Sequence, residues 1–275
     1  MSRLQLVLSV VGALVAVLAL SLRLPTRAET EPVDLQARDA ALLAPAFEDQ
    51  DRPKSLMDRP LRPQPPADPP LSYNEVREQL DADRRALGRR WMSDDDRDSV
   101  LDEARELLRA TIREDLIPPW YGTTWAFYGT SQTPGQGTIA CGYFVSTVLK
   151  HAGVRVHRVQ LAQQASEHIV RTFADPAEVD YTSGRTPLEI VREVKARGAG
   201  LYVIGLDYHV GLLSWDGDGR VELCHSSVLP PSTVVCEDAA RADAMVSHVH
   251  VLGPLLTDRV VEAWIEGKGV PTALP

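Results

Sequence analysis

The sequence is poor in cysteine, poor in positive charge and free of internal repeats. Three cysteines in 275 residues are too few for a disulfide scaffold or a cysteine-only zinc site. Acidic residues outnumber basic ones 38 to 29, for a net charge of −9. The first 28 residues hold three arginines and no acid, so the remainder is more acidic still. A body of that sign is poorly suited to binding nucleic acid through its phosphates. A hydrophobic share of 44% with 24% charged residues is ordinary for a globular chain, and excludes wholesale disorder, collagen-like and coiled-coil architectures.

One long apolar run is present. Arg3 precedes it, it extends from Leu4 to Leu22, and Arg23, Pro25, Arg27 and Ala28 follow. A charged start, an apolar stretch and a small residue at the end read as a secretory signal over residues 1–28. The run is also long enough to span a bilayer, so a retained anchor stays open beside a cleaved signal. No cysteine follows it, which excludes a lipoprotein anchor. Either way the chain is expected to be exported, periplasmic or extracellular, and held at the inner membrane by residues 4–22 if uncleaved. Ten of the 20 prolines lie between Pro25 and Pro70. Residues 29–71 therefore read as a disordered, semi-rigid tether, with at most a short helix near Leu35–Leu43.

Order is expected from Ser72. Ser72 with Glu75 forms a capping box for a helix to about Trp91, and Ser93 with Asp96 starts a second. Asp94, Asp95 and Asp96 fit a helix start, where the dipole favours acids, better than a calcium site. Pro118-Pro119 ends the pair, so residues 72–116 read as two helices packed on a domain spanning 117–275. Helices are expected near Ile139–His151, Ser166–Phe173, Pro187–Ala196 and Asp258–Glu266. Strands are expected at Leu201–Leu206, His209–Trp215, Arg220–His225 and Met245–Leu252, with Asp216-Gly217-Asp218-Gly219 as a hairpin turn. Helices first and antiparallel strands afterwards give an α+β fold.

Three residues carry the chemistry. If Thr138 caps the helix, Cys141 stands in its first turn, with Phe144, Val145, Val148 and Leu149 as the buried stripe. Unpaired N–H groups there stabilise a thiolate and lower its pKa, as a nucleophilic cysteine needs. His209 and His225 flank the glycine-rich turn. Pairing them across a hairpin centred on residue 217 puts their Cβ atoms roughly 5 Å apart on one face. One imidazole can then orient the other and fix its tautomer.

Cys141 at a helix start, Asp207-x-His209-Val210-Gly211 and His225-Ser226-Ser227 together resemble the NlpC/P60 family of papain-like cysteine peptidases, over roughly Trp120 to His225. The resemblance implies a catalytic helix packed on an antiparallel sheet. It implies Cys141 as nucleophile, His209 as general base and His225 as the group that orients it. Tyr128-Gly129…Pro134 resembles the family's tyrosine-glycine-proline lead-in, whose tyrosine shapes the oxyanion region. Gln132 and Gln136 are rival oxyanion donors, and Trp125, with Trp120 and Trp215, a candidate groove wall. The chain departs from the family in having Ala140-Cys141-Gly142 where Asp-Cys-Ser is usual, and in a long insert between Gly153 and Gly200.

The implied function is an exported thiol hydrolase that cuts an amide, with peptidoglycan peptides as the implied substrate. The reading calls for no cofactor and no metal. A silent domain that only binds wall peptides is an alternative, as is an acyltransferase using the same pair. A zinc reading would use His248 and His250 with His209 or His225, but no clustered carboxylate accompanies them. Cys224 and Cys236, 12 positions apart, are either a disulfide or two buried thiols.

Overall fold

A computed structural model describes residues 71–93 and 96–274. The apolar run 4–22, the proline-rich tether and the short helix expected near residue 35 lie outside the described residues. No helix among the described residues is long and apolar enough to cross a membrane.

Helix α1 (Tyr73–Ser93) opens on the expected box: Ser72 N–H donates to Glu75 at 2.7 Å, and Glu75 N–H to the Ser72 hydroxyl at 3.4 Å. Helix α2 (Arg97–Ala110) is capped by Asp96, whose carboxylate accepts from Ser99 N–H at 3.3 Å. Ser93 does not start α2. It is the last residue of α1, and its hydroxyl bonds back to the Arg89 carbonyl. Asp96 supplies the cap instead, its carboxylate satisfying one of the otherwise unpaired first-turn N–H groups. A π-helical turn (Thr111–Leu116) and a 3₁₀ turn (Pro118–Trp120) end the pair.

Strands β1 (Thr124–Trp125) and β2 (Thr138–Ile139) form a small parallel ladder before α3 (Cys141–His151). Helices α4 (Arg158–Ala162) and α5 (Ser166–Phe173) follow, then β3 (Asp180–Ser183) and α6 (Pro187–Arg197), which starts on a Thr186–Glu189 capping box. The main sheet adds β4 (Gly200–Leu206), β5 (Val210–Trp215), β6 (Glu222–Ser226), β7 (Val234–Asp238) and β8 (Val249–Pro254), and α7 (Asp258–Ile265) closes the chain. Its order is β3-β8-β4-β5-β6-β7, antiparallel throughout.

The fold is α+β. One sheet face, with Val203, Leu212 and Cys224, meets α1, α2, α3, α5 and α7 in a single buried cluster. The other, with Ile204, Leu213 and Leu223, is covered by α6 and Met245. The helical pair shares the first cluster through Val76, Leu80, Val100 and Leu108, so it is part of the same core. Sequence periodicity finds the four inner strands but misses β3 and β7. These are the sheet edges, and their alternation is weak: β3 is half exposed and β7 ends in Glu237-Asp238.

Candidate functional site

The structure places Cys141 at the first position of α3, two steps nearer the helix terminus than a Thr138 cap would. Thr138 belongs to β2, and Ala140 holds the cap position with no side-chain cap. The first-turn N–H groups are therefore free for the thiol. Those of Cys141 and Gly142, with Val210 N–H from the head of β5, favour its charged form. Phe144, Val145, Val148 and Leu149 are buried as the stripe predicted, and seat α3 on the sheet.

His209 ends a two-residue turn. Its carbonyl accepts from Leu206 N–H at 2.8 Å, closing Asp207-Tyr208 between β4 and β5. The Asp207 carboxylate clamps that turn by accepting from His248 N–H, Val249 N–H and the Ser247 hydroxyl. Burial pushes the Asp207 carboxyl up, but these donors outweigh it and hold it below its usual range.

The β5–β6 register differs from the expectation. Leu212 pairs with Cys224 and Ser214 with Glu222, so the hairpin is offset by two residues and His225 opposes Gly211 rather than His209. A shift of two preserves the face. His209 and His225 become diagonal neighbours, and their rings meet edge to face with His209 Nε2 2.7 Å from His225 Nδ1. Gly211 makes this contact feasible, because a Cβ there would come within 3.2 Å of His225 Cβ and 2.8 Å of Leu223.

The chain of contacts continues to a residue the sequence reading missed. His225 Nε2 lies 3.0 Å from a carboxylate oxygen of Glu237 on β7. The order of donors follows. A carboxylate only accepts, so His225 Nε2 carries the hydrogen and its Nδ1 accepts from His209 Nε2–H. That leaves His209 Nδ1 unprotonated and able to take a proton. Glu237 thus fixes two tautomers in series. His225 is fully buried and has no other means of orientation on this face.

A signal for Glu237 was present in the two cysteines. The structure joins Cys224 and Cys236 as a disulfide between directly opposed residues of β6 and β7. That pairing alone sets Leu223 against Glu237 and His225 against Val235, which makes His225 and Glu237 diagonal neighbours on the face opposite the disulfide.

Cys141 and His209 are both partly buried and line one cavity of about 240 Å³. Among the described residues the thiol makes no hydrogen bond to the imidazole. The expected low thiol pKa is not found. Burial pushes the Cys141 thiol up, and outweighs the N–H groups of Val210, Gly142 and Cys141. Burial likewise pushes His209 well below its usual value, and His225 beside it adds to the effect. The resting pair is a neutral thiol and a neutral imidazole.

The other sequence candidates stand apart. Gln132 binds Lys150 Nζ at 3.0 Å, near the far end of α3 from Cys141 and so roughly 13 Å along the axis. Gln136 is exposed in the loop before β2. Trp125 is partly buried in β1, with its N–H on the Ser232 carbonyl. Tyr128 is exposed and packs on Phe127, although Gly129 next to it bonds Ala140. Trp120 is a core residue, and Trp215 sits under Lys195. His248 is exposed while His250 is buried on the Met245 carbonyl, so they do not converge. Among the described residues no three His, Cys, Asp or Glu side chains gather as a metal site.

A larger cavity of about 580 Å³ lies between α2 and the ends of β4 and β5. Its charged walls are already paired, Arg105 with Asp102 and Asp258, Arg109 with Glu106 and Asp216, and it holds no nucleophile. Comparison with protein-family models, with curated proteins and with solved structures finds no match.

Proposed function

We propose that this chain is an exported thiol hydrolase that cleaves an amide through Cys141, His209 and His225, in the manner of the NlpC/P60-like peptidases it resembles. The observation that carries the reading is the ordered series His209–His225–Glu237, which leaves Nδ1 of His209 unprotonated, together with the cavity that His209 lines jointly with the helix-terminal Cys141. Cys141 Sγ attacks the amide carbon as His209 Nδ1 takes its proton. The Cys141 and Gly142 N–H groups, aimed past the helix terminus, stabilise the oxyanion. His225 and Glu237 hold the imidazolium. His209 then protonates the leaving amine, a thioester remains on Cys141, and water delivered through His209 releases the acid and regenerates the thiol.

The resemblance extends the reading to peptides of bacterial cell-wall peptidoglycan. The disulfide and the apolar run at residues 4–22 support an oxidising compartment outside the cytoplasm. Acyl transfer to an amine would use the same residues, with the amine replacing water in the second half.

The test is pre-steady-state acylation of the full chain by p-nitrophenyl acetate. The expected result is a burst of one nitrophenol per active site, with acetyl on Cys141 by peptide-mapping mass spectrometry. Cys141→Ser abolishes the burst, and His209→Ala slows it by about 10²–10⁴-fold, the range for loss of a general base. The pH profile is a second reading. His209 acts as base when neutral, and burial holds it well below about 6.5, so acylation persists as pH falls through 6.5 and drops only at lower pH. An acetylation rate indifferent to His209→Ala would overturn the reading, and a folded, burst-free protein would favour a silent binding domain.

A further inference from the structure

The two departures from the family pattern have one structural cause. The insert after Gly153 supplies α4 and α5, and α4 lies directly on the catalytic helix. A Cβ on Gly142 would sit 2.4 Å from the Ala162 carbonyl oxygen, so serine at that position cannot coexist with α4. Arg158 fastens α4 down: its Nε donates to Thr147 Oγ1 at 2.7 Å, and its guanidinium lies 4.8 Å over the Tyr143 ring. Ser166 at the start of α5 donates to the Leu206 carbonyl at 2.9 Å, and Gly205 leaves room for it, since a Cβ there would come within 3.0 Å of Ser166. The segment between α4 and α5 is thus pinned at both ends across the mouth of the site.

What it brings to the cavity is uncharged and, apart from Gln164, small. Ala162, Gln164, Ala165 and Ser166 line it together with Cys141, Gly142 and Ile169. The cavity of about 240 Å³ is under the roughly 300–1,000 Å³ usual for small-molecule sites, and it must hold the amide as well. The only full charge on its lining is the Asp207 carboxylate; no lysine or arginine faces it. An anionic side chain would meet like charge without compensation.

We infer that the insert is a selectivity wall, and that the residue carrying the attacked carbonyl has a small, uncharged side chain of alanine size. This rests on Cys141 being the nucleophile, and narrows the substrate class to amides at small neutral residues rather than at acidic or aromatic ones.

The test uses the full chain and the acetylated chloromethyl ketones of alanine, phenylalanine and glutamate, with that of glycine as a reference for the variant. Cys141 sulfur displaces chloride, an S–CH₂ bond forms, and the thiol proton leaves through His209. Rates of Cys141 labelling are normalised to those with iodoacetamide. The alanine probe is expected to lead the other two by 10-fold or more. In Ala162→Leu the alanine probe is expected to slow about 10-fold relative to the glycine probe. A wild-type panel that is flat, or led by phenylalanine or glutamate, overturns the inference even if the variant misfolds. That failure is separable from failure of the hydrolase reading: the first leaves the His209-dependent acetyl burst intact, the second removes it.

Discussion

The two ends of α3 carry similar buried polar chains with different consequences. At its start stand Cys141 and the series His209–His225–Glu237. At its end, His151 Nδ1 accepts from the Tyr73 hydroxyl at 2.9 Å, which in turn accepts from Trp120 Nε1–H at 3.1 Å. Both histidines are driven below their usual pKa, first by burial. A perturbed histidine therefore does not mark the site by itself. The first chain opens on the cavity that Cys141 lines and ends on a carboxylate that can hold an imidazolium. The second is sealed, with Tyr73 against its ring and no anion in the chain. It fastens α1 to the domain.

The comparison breaks most sharply under substitution of the two histidines. His209→Ala is expected to lose the acylation rate, and by leaving the buried His225 Nδ1 without its partner to cost about 1–3 kcal/mol of stability. His151→Ala is expected to cut stability while the acetyl burst survives. If His151→Ala removes the burst and leaves stability intact, the assignment of the two ends is wrong.

Acid separates them next. Burial, with Arg77, Lys150 and Arg158 nearby, holds His151 at about 4 in the folded protein, against about 6.5 unfolded. Between those values the unfolded chain binds a proton that the folded one refuses, so stability falls as pH drops from about 6.5 to about 4. Integrated over that window the loss is on the order of 3 kcal/mol. Urea titrations across the window check it, and in the His151→Ala variant this portion of the pH dependence should vanish. Tyr73→Phe is a smaller change. It strands His151 Nδ1 and Trp120 Nε1 without partners and should cost about 1–3 kcal/mol, with acylation unaffected.

How much of this was legible in the sequence depended on the kind of signal. The α3 stripe, the Ser72–Glu75 box and the H-V-G strand were readable because period and capping are local. The meeting of His209 and His225 was readable through parity, which survives a two-residue register error. The edge strands and Glu237 were not, since a half-exposed edge carries little alternation and its register is set by a disulfide that spacing alone left undecided. The thiol's raised pKa was illegible for a different reason. Helix position predicts the N–H groups, and they are there, but desolvation depends on how tightly α4 and β5 close over Cys141. The meaning of Gly142 likewise required seeing α4 on top of it.

The finest distinction between the two chains is the carboxylate, and Glu237→Gln isolates it. Glutamine keeps an acceptor oxygen for His225 Nε2–H, so both tautomers and the 2.7 Å contact to His209 are retained. Only the negative charge goes. Without it the imidazolium formed at His209 during attack is less stable, so the base is weaker and the acid limb of the acylation profile moves to still lower pH. Acting through an intervening ring, the effect should be modest, about 10-fold in rate, equivalent to about 1.4 kcal/mol of barrier. Glu237→Leu, which also frees the tautomers, should cost more. A carboxylate that served only to hold β6 against β7 would instead lower the urea midpoint in both variants and leave the acid limb where it was.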